Sequence, residues 1–454
     1  MFYTANPEKF DIPREAVKRL EEELVRKRQN PHGILLLMGR AVIAERYWHP
    51  YDERSNHRMY SVTKSFTALA AGLLVKQGRI SLDDKICGYF PEKLPPEGAH
   101  PWCAEMTIRD MLTMRTCHSS TTFSGYGGDW TESFFRVKPD HMPGTVFQYD
   151  TGSSHVLSAL TEKLTGMPML DFLRKEALNR VGFSREAYII PDPYGVSQGG
   201  SGLMCTLRDL AKTAWLCSHY GNLDGEELFP LSYMQEALSC QVPTDLQPVF
   251  DEQFGYGFMF WMPREEGFVM YGIGGQLALC FPKMDFCFLC MADTLGNPAG
   301  LQAIYEAFYR NIYPYLRRRR RDDLSAAASE EGFGKGSRRG TETYRFCENA
   351  GGWEYVRFLW EEDRMELRGK TGRLEFPLGL LGVRESIFPG TRYRCESRSG
   401  WSRGHLVFRC HAADEEQGSV GMDFAWKGAG LSVRMTNTGE PFLRQFQGIS
   451  SAMP

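Results

Sequence analysis

The stretch "RMYSVTKSFTALAAGLLVKQG", residues 58–78, sets Ser61 three positions ahead of Lys64 at the mouth of an apolar helix. Three residues is a little under one helical turn, so the two side chains share a face within reach of each other. One reading is a helix cap followed by an unrelated lysine. Serine is a favoured N-cap, and S-x-x-K arises by chance roughly once in a chain of this length. The other reading is a nucleophile with its base one turn away. A helix N-terminus carries partial positive charge and unpaired N–H groups, which stabilise negative charge on an attacked carbonyl oxygen. That field, with burial, disfavours the ammonium form of Lys64, and a neutral amine accepts a hydroxyl proton. The run "FTALAAGLLV", residues 66–75, is apolar enough to be buried, so a lysine in the first turn borders a cleft.

Upstream, residues 13–29 place Val17, Leu20 and Leu24 at helical spacing with charges on the opposite face. "GILLLMGRAVIAERYW", residues 33–48, reads as two strands joined by a tight turn at Gly39 and Arg40. The helix of residues 58–78 ends near Gly78, a good stop. From about 107 to 250, helical patterns such as "SSHVLSALTEKLTG" and "TLRDLAKTAWLCSHYG" alternate with loops. Strands return in "GYGFMFWMP", "GFVMYGIGGQLALCFP" and "DFCFLCMAD", and "PAGLQAIYEAFYRNIY" follows as a helix. This order predicts an α+β domain over residues 1–313, its sheet interrupted by a helical insertion.

At residue 314 the composition changes. "RRRRRDD", residues 317–323, leads into a small, polar, glycine-rich run. Acids follow the arginines at once and no aromatics are interleaved, so the run reads as a solvated helix end entering a flexible linker over 314–342. Short alternating runs over 343–454 predict a small all-β domain, a barrel or sandwich.

The 454 residues are 42% hydrophobic and 13% aromatic with a net charge of −3, which allows a large core and excludes a charge-driven nucleic-acid or membrane-surface partner. Twelve cysteines are scattered without a paired framework, as in a reducing compartment. Cys287 and Cys290 form a C-x-x-C, but a strand points them to opposite faces. The first residues lack a signal-peptide pattern and no apolar run reaches transmembrane length, so a cytoplasmic location is expected.

Tyr149, in "PGTVFQYDTGSSHVLSALTEKLTG" (residues 143–166), sits just ahead of a helix. It is either a core aromatic or a phenol near Lys64, whose charge would lower its pKa for proton relay. "SVTK", this Pro-Gly turn with its tyrosine, "GGSGLMCTLRDLAK" and "YGIGGQLALCFP" occur in that order. Together they resemble the serine β-lactamase and penicillin-recognising hydrolase superfamily, which includes class C β-lactamases, family VIII carboxylesterases and 6-aminohexanoate-dimer hydrolases. The resemblance covers roughly residues 31–313 and implies a β-lactamase-like antiparallel sheet flanked by helices, with an all-helical insertion. It implies Ser61 as nucleophile, Lys64 as its base and Tyr149 as shared general acid/base. It further implies an oxyanion hole from the Ser61 N–H and a strand N–H at Ile273, with no cofactor and no metal. Gly272, Gly274 and Gly275 would admit substrate close to the backbone, or simply make a tight hairpin.

Two departures narrow the substrate. The superfamily's lactamases and peptidases carry Lys or His on the strand that meets a substrate carboxylate, and "FVMYGIGG" has none. Thr151 replaces the asparagine of the family's Y-x-N motif. Charge-assisted contacts contribute about 1.5–3 kcal/mol each, so an ester or small amide is expected rather than a β-lactam. Acyl transfer with the same residues, or a low-turnover sensor, are the alternatives, and self-association stays open. His118 reads as structural, and Trp130 as either acyl-pocket lining or core.

Overall fold

The computed structural model describes residues 1–297, 299–323, 338–370 and 372–454. The apolar, β-branched run ahead of the Ser61 helix forms β1 (Pro31–Met38) and β2 (Ala41–Tyr47), turned at Gly39 with φ +56°. They join β3 (Phe268–Gly272), β4 (Gln276–Phe281) and β5 (Phe286–Ala292) in one sheet ordered Tyr3–Thr4, β2, β1, β5, β4, β3. All pairs are antiparallel except Tyr3–Thr4, which lies parallel to β2.

Helices cover both faces. On one side lie α1 (Arg14–Arg26) and the later helix Gly300–Asn311, tied by Asn311 Nδ2 donating to Glu23 Oε2 at 2.7 Å. Phe308 of that helix stacks on Phe281, Phe286 and Phe288 of the sheet. On the other face Leu207–Ser218, started by a Thr206/Asp209 capping box, brings Ser218 against Cys287. The Ser61 helix, α2 (Val62–Lys76), is buried nearly all round, as its all-apolar surface requires, and stops before Gly78 at φ +64°.

The insertion carries the helices Ile108–Leu112, Trp130–Arg136, α3 (Gly152–Thr165), Met169–Glu176, α4 (the Leu207–Ser218 helix) and Leu231–Ala237. It also holds short strands too brief for alternation to reveal. Leu203–Cys205 bridges His57–Arg58 and Tyr188–Ile189, tying the segment before Ser61 to the "GGSG" region. "GYGFMFWMP" is not a strand. Met259 turns at φ +60° and donates its N–H to Leu112 O, leaving only isolated bridges at Tyr256 and Trp261.

The arginine run lies at the end of a helix, Tyr313–Asp323, as read from the sequence, so the linker expected over 314–342 does not start at 314, and its residues 324–337 lie outside the described residues. The C-terminal domain is a nearly closed antiparallel sheet of ten strands. They are β6 (Thr341–Phe346), β7 (Trp353–Leu359), β8 (Arg364–Gly369), β9 (Gly372–Pro377), β10 (Arg384–Ile387), β11 (Arg394–Ser402), β12 (His405–Ala413), β13 (Gln417–Lys427), β14 (Gly430–Gly439) and β15 (Gly448–Met453). Their order is β9-β8-β7-β6-β15-β14-β13-β12-β11-β10. Alternation fills the interior with Phe358, Phe376, Phe408 and Phe424, joined by Phe446 from the connection before β15, and turns Arg409, Asp423 and Arg434 outward. Among the described residues no helix is long and apolar enough to cross a membrane.

Candidate active site

Ser61 stands at the N-cap of α2 but makes no capping hydrogen bond with its side chain. Its Oγ lies 3.2 Å from Lys64 Nζ instead. The residue before it, Tyr60, has φ +45°, a left-handed conformation uncommon for a bulky side chain. Thr63 holds that turn, donating Oγ1–H to Tyr60 O at 2.6 Å and accepting the Leu203 N–H at 3.0 Å.

Lys64 is 1% exposed, and burial lowers its pKa from 10.5 to about 7, opposed by the field of Asp150. Its amine has three neighbours: Gly200 O at 2.8 Å, Thr151 Oγ1 at 3.2 Å and Ser61 Oγ at 3.2 Å. A neutral amine carries two N–H donors and one lone pair. Donation to Gly200 O and Thr151 Oγ1 leaves the lone pair for the Ser61 hydroxyl proton. Thr151 thus contacts the lysine from the position of the family's asparagine.

Tyr149 packs with its ring 4.9 Å from Lys64 Nζ, stacks on Trp261 at 5.5 Å and shares a hydrogen bond with Ser61. Burial pushes its phenol up, and the Ser61 bond only partly opposes this. The lowering expected beside a Lys64 cation is overturned, because burial of the phenol itself outweighs its hydrogen bond with Ser61. The phenol is a proton donor at neutral pH. Asp150 accepts the N–H groups of Gly152 and Ser153, both at 2.8 Å, and so starts α3 directly behind Tyr149. Burial raises the Asp150 carboxyl.

Ile273 is not on a strand. It is the first residue of the turn between β3 and β4, half exposed, with Gly274 and Gly275 following at φ +88° and +91°. Gly272 has a different reason to be glycine. A Cβ there would lie 2.2 Å from Met59 O and 3.1 Å from Ser61 N, so the end of β3 runs against the backbone that presents the serine. Gly274 and Gly275 thus make the tight hairpin turn, while Gly272 admits the chain's own backbone rather than turning it. Ser61 N–H has no backbone acceptor among the described residues.

Sequence reasoning missed Gly200 as the lysine's acceptor. A Cβ there would meet Thr151 Cγ2 at 2.4 Å, so "GGSG" was the available signal. It also missed Glu252, whose carboxyl has no hydrogen-bond or ion-pair partner among the described residues and is pushed up to about 7 by burial near Tyr149 and Tyr271. His118 is buried with Nε2 2.9 Å from Phe134 O, and Trp130 stacks on Phe123 at 4.1 Å. Among the described residues no cluster of His, Cys, Asp or Glu is arranged to hold a metal ion.

Residues 17–308 match the family model described as Beta-lactamase. A 6-aminohexanoate-dimer hydrolase from Paenarthrobacter ureafaciens is 25% identical over 278 residues, 56% of this chain and 70% of that protein. An octameric penicillin-binding protein homologue from Pyrococcus abyssi has a TM-score of 0.53 at 15% identity, over 96% of this chain and 99% of its own. EstCE1, described as a hydrolase with promiscuous acyltransferase activity, has a TM-score of 0.51 at 14% identity, over 65% of this chain and 98% of its own. At these identities the two structures speak to the fold alone.

Proposed function

The chain belongs to the beta-lactamase family, and from that premise we propose that it is a serine hydrolase cleaving an ester or small amide through an acyl-enzyme on Ser61. The observation that carries this reading is the contact of Ser61 Oγ with a buried amine lowered to about 7. Lys64 takes the hydroxyl proton as Oγ bonds to the substrate carbonyl carbon. The resulting oxyanion is held by the Ser61 N–H and by the N–H of Ile273 beside Gly274. Tyr149 donates its proton to the leaving alkoxide or amine as the carbon–heteroatom bond breaks, and is reprotonated from Lys64. Water then attacks the acyl-enzyme through the same groups in reverse, releasing the acid and restoring Ser61.

An acceptor alcohol or amine in place of water would give acyl transfer with the same residues. The lack of a cation on the β3 turn favours a substrate without a carboxylate beside its scissile bond. A soluble, cytoplasmic, small-molecule enzyme that binds neither nucleic acid nor membrane fits the chain's composition. A structural neighbour that covers 96% of this chain is octameric, so self-association belongs to the proposal, and light scattering on the purified chain measures it.

The direct test is Ser61→Ala with p-nitrophenyl acetate and butyrate. Turnover is expected to fall by at least about 10³-fold. Unchanged turnover in that variant removes the proposal, and stable acylation by a fluorescent penicillin without release supports a sensor instead.

A further inference from the structure

Away from Ser61, a cavity of about 680 Å³ opens between the outer face of the barrel and the segment from Asp245 to Gln253. Small-molecule sites run from about 300 to 1,000 Å³. Its floor is a row across four strands. Arg398 of β11 and Arg409 of β12 are directly opposed, Gly421 of β13 follows Arg409, and Thr436 of β14 follows Gly421. Arg434 lies two residues before Thr436 and therefore on the same face. Like charges directly opposite each other destabilise a sheet unless something answers them.

Nothing within the described residues fully does. None of the three guanidiniums forms an ion pair there, and Arg409 donates only to the carbonyl oxygen of Asp245. Burial holds both Arg409 and Arg434 below their ordinary value. Two carboxyls also line the space, Asp245 and Glu396, but burial pushes Asp245 up and Glu396 is exposed. Asp423, directly across from Arg434, bonds His405 at 2.8 Å, and its field on Arg434 only partly offsets the burial of that guanidinium.

The walls are apolar as well as charged. A Cβ on Gly421 would come within 2.7 Å of Leu246 Cδ2, so the glycine lets the catalytic domain's Leu246 seat on the barrel. Leu246, Pro248 and Val383 give the cavity a hydrophobic side facing the arginines. We propose that this interdomain cavity is a binding site for a small organic anion, its carboxylate or phosphate groups held across Arg398, Arg409 and Arg434. Guanidinium forks suit both anions through paired hydrogen bonds, and the apolar wall takes the ligand's body. A ligand seated between the domains stabilises their docked arrangement by mass action.

The test is calorimetric titration of the full-length protein in a chloride buffer at low salt, with citrate as the carboxylate probe and pyrophosphate as the phosphate probe. Saturable binding of at least one, with Kd below about 1 mM, is expected, together with a rise in Tm; the tighter probe identifies the anion class. Arg398→Met and Arg434→Met are each expected to weaken binding roughly tenfold or more. Arg398 is exposed, so its replacement leaves the fold intact and keeps the test decisive should the Arg434 variant fail to fold. Absence of saturable binding to both probes, or undiminished binding in the Arg398 variant, overturns the proposal. Ser61 plays no part in this measurement, so its outcome is independent of the hydrolase reading.

Discussion

Lys64 is where stability and chemistry oppose each other. Held neutral near pH 7 against its ordinary preference, the amine costs the fold on the order of 4 kcal/mol. Lys64→Met is therefore expected to abolish turnover and raise Tm by several degrees. The sign follows from proton counting. Between pH 7 and 10.5 the unfolded lysine binds a proton that the folded one does not, so wild-type stability rises with pH across that window. The Tm advantage of Lys64→Met should accordingly shrink from pH 7 to pH 10 in thermal melts, and a constant gap would contradict the buried neutral amine. Activity should climb with pH through about 7 as Lys64 loses its proton. Glu252 titrates in the same range, so the limb should be measured in Glu252→Gln, where its persistence assigns it to Lys64.

At the scale of elements, the site is made by three segment ends that meet. The strained Tyr60 turn presents Ser61, the end of β3 presses on Met59 and Ser61, and Asp150 starts α3 behind Tyr149. Gly272→Ala forces a methyl group into Met59 O, which backbone cannot yield without moving the serine. A loss of kcat of roughly 10²-fold is expected, with Ser61 still present but misplaced. Gly274→Ala tests a different cost, strain at φ +88° with only the flexible Gln276 side chain to yield, its Nε2 3.0 Å from the added Cβ, and should lower Tm by more than it lowers kcat.

Across the whole molecule, the barrel grips the segment that leads into Tyr149. Lys427 Nζ donates to Pro143 O at 2.8 Å, Met142 N–H donates to Ser451 Oγ at 2.9 Å, and Val146 packs with Ala425 and Ile449. The C-terminal domain thus braces the loop three to seven residues ahead of the phenol. The double variant Lys427→Met, Ser451→Ala should reduce kcat several-fold with an unchanged circular dichroism spectrum. An unaltered kcat would mean that the loop is held by the catalytic domain alone.

The sheet strands, the buried Ser61 helix and the all-β tail were readable because each follows from local period and composition. "GILLLMGRAVIAERYW" is two short apolar runs parted by a turn glycine, and "FTALAAGLLV" is apolar on nearly every side. Ser61, Lys64 and Tyr149 were readable as candidates because their residue types and order carry the chemistry. Their roles were only half readable, since a pKa depends on what surrounds a group rather than on its neighbours in the chain. Desolvation of Lys64 and Tyr149 comes from segments more than 80 residues away in sequence, and it lowers the amine's pKa while raising the phenol's. "GYGFMFWMP" looked like a strand and became a turn because Leu112, from the insertion, captured the Met259 N–H. The sequence by itself determined which groups exist and on which elements they ride. Only the tertiary structure decided which of them are dry, which are close, and that the barrel's arginines face the catalytic domain, because burial and contact between distant segments are properties no local pattern encodes.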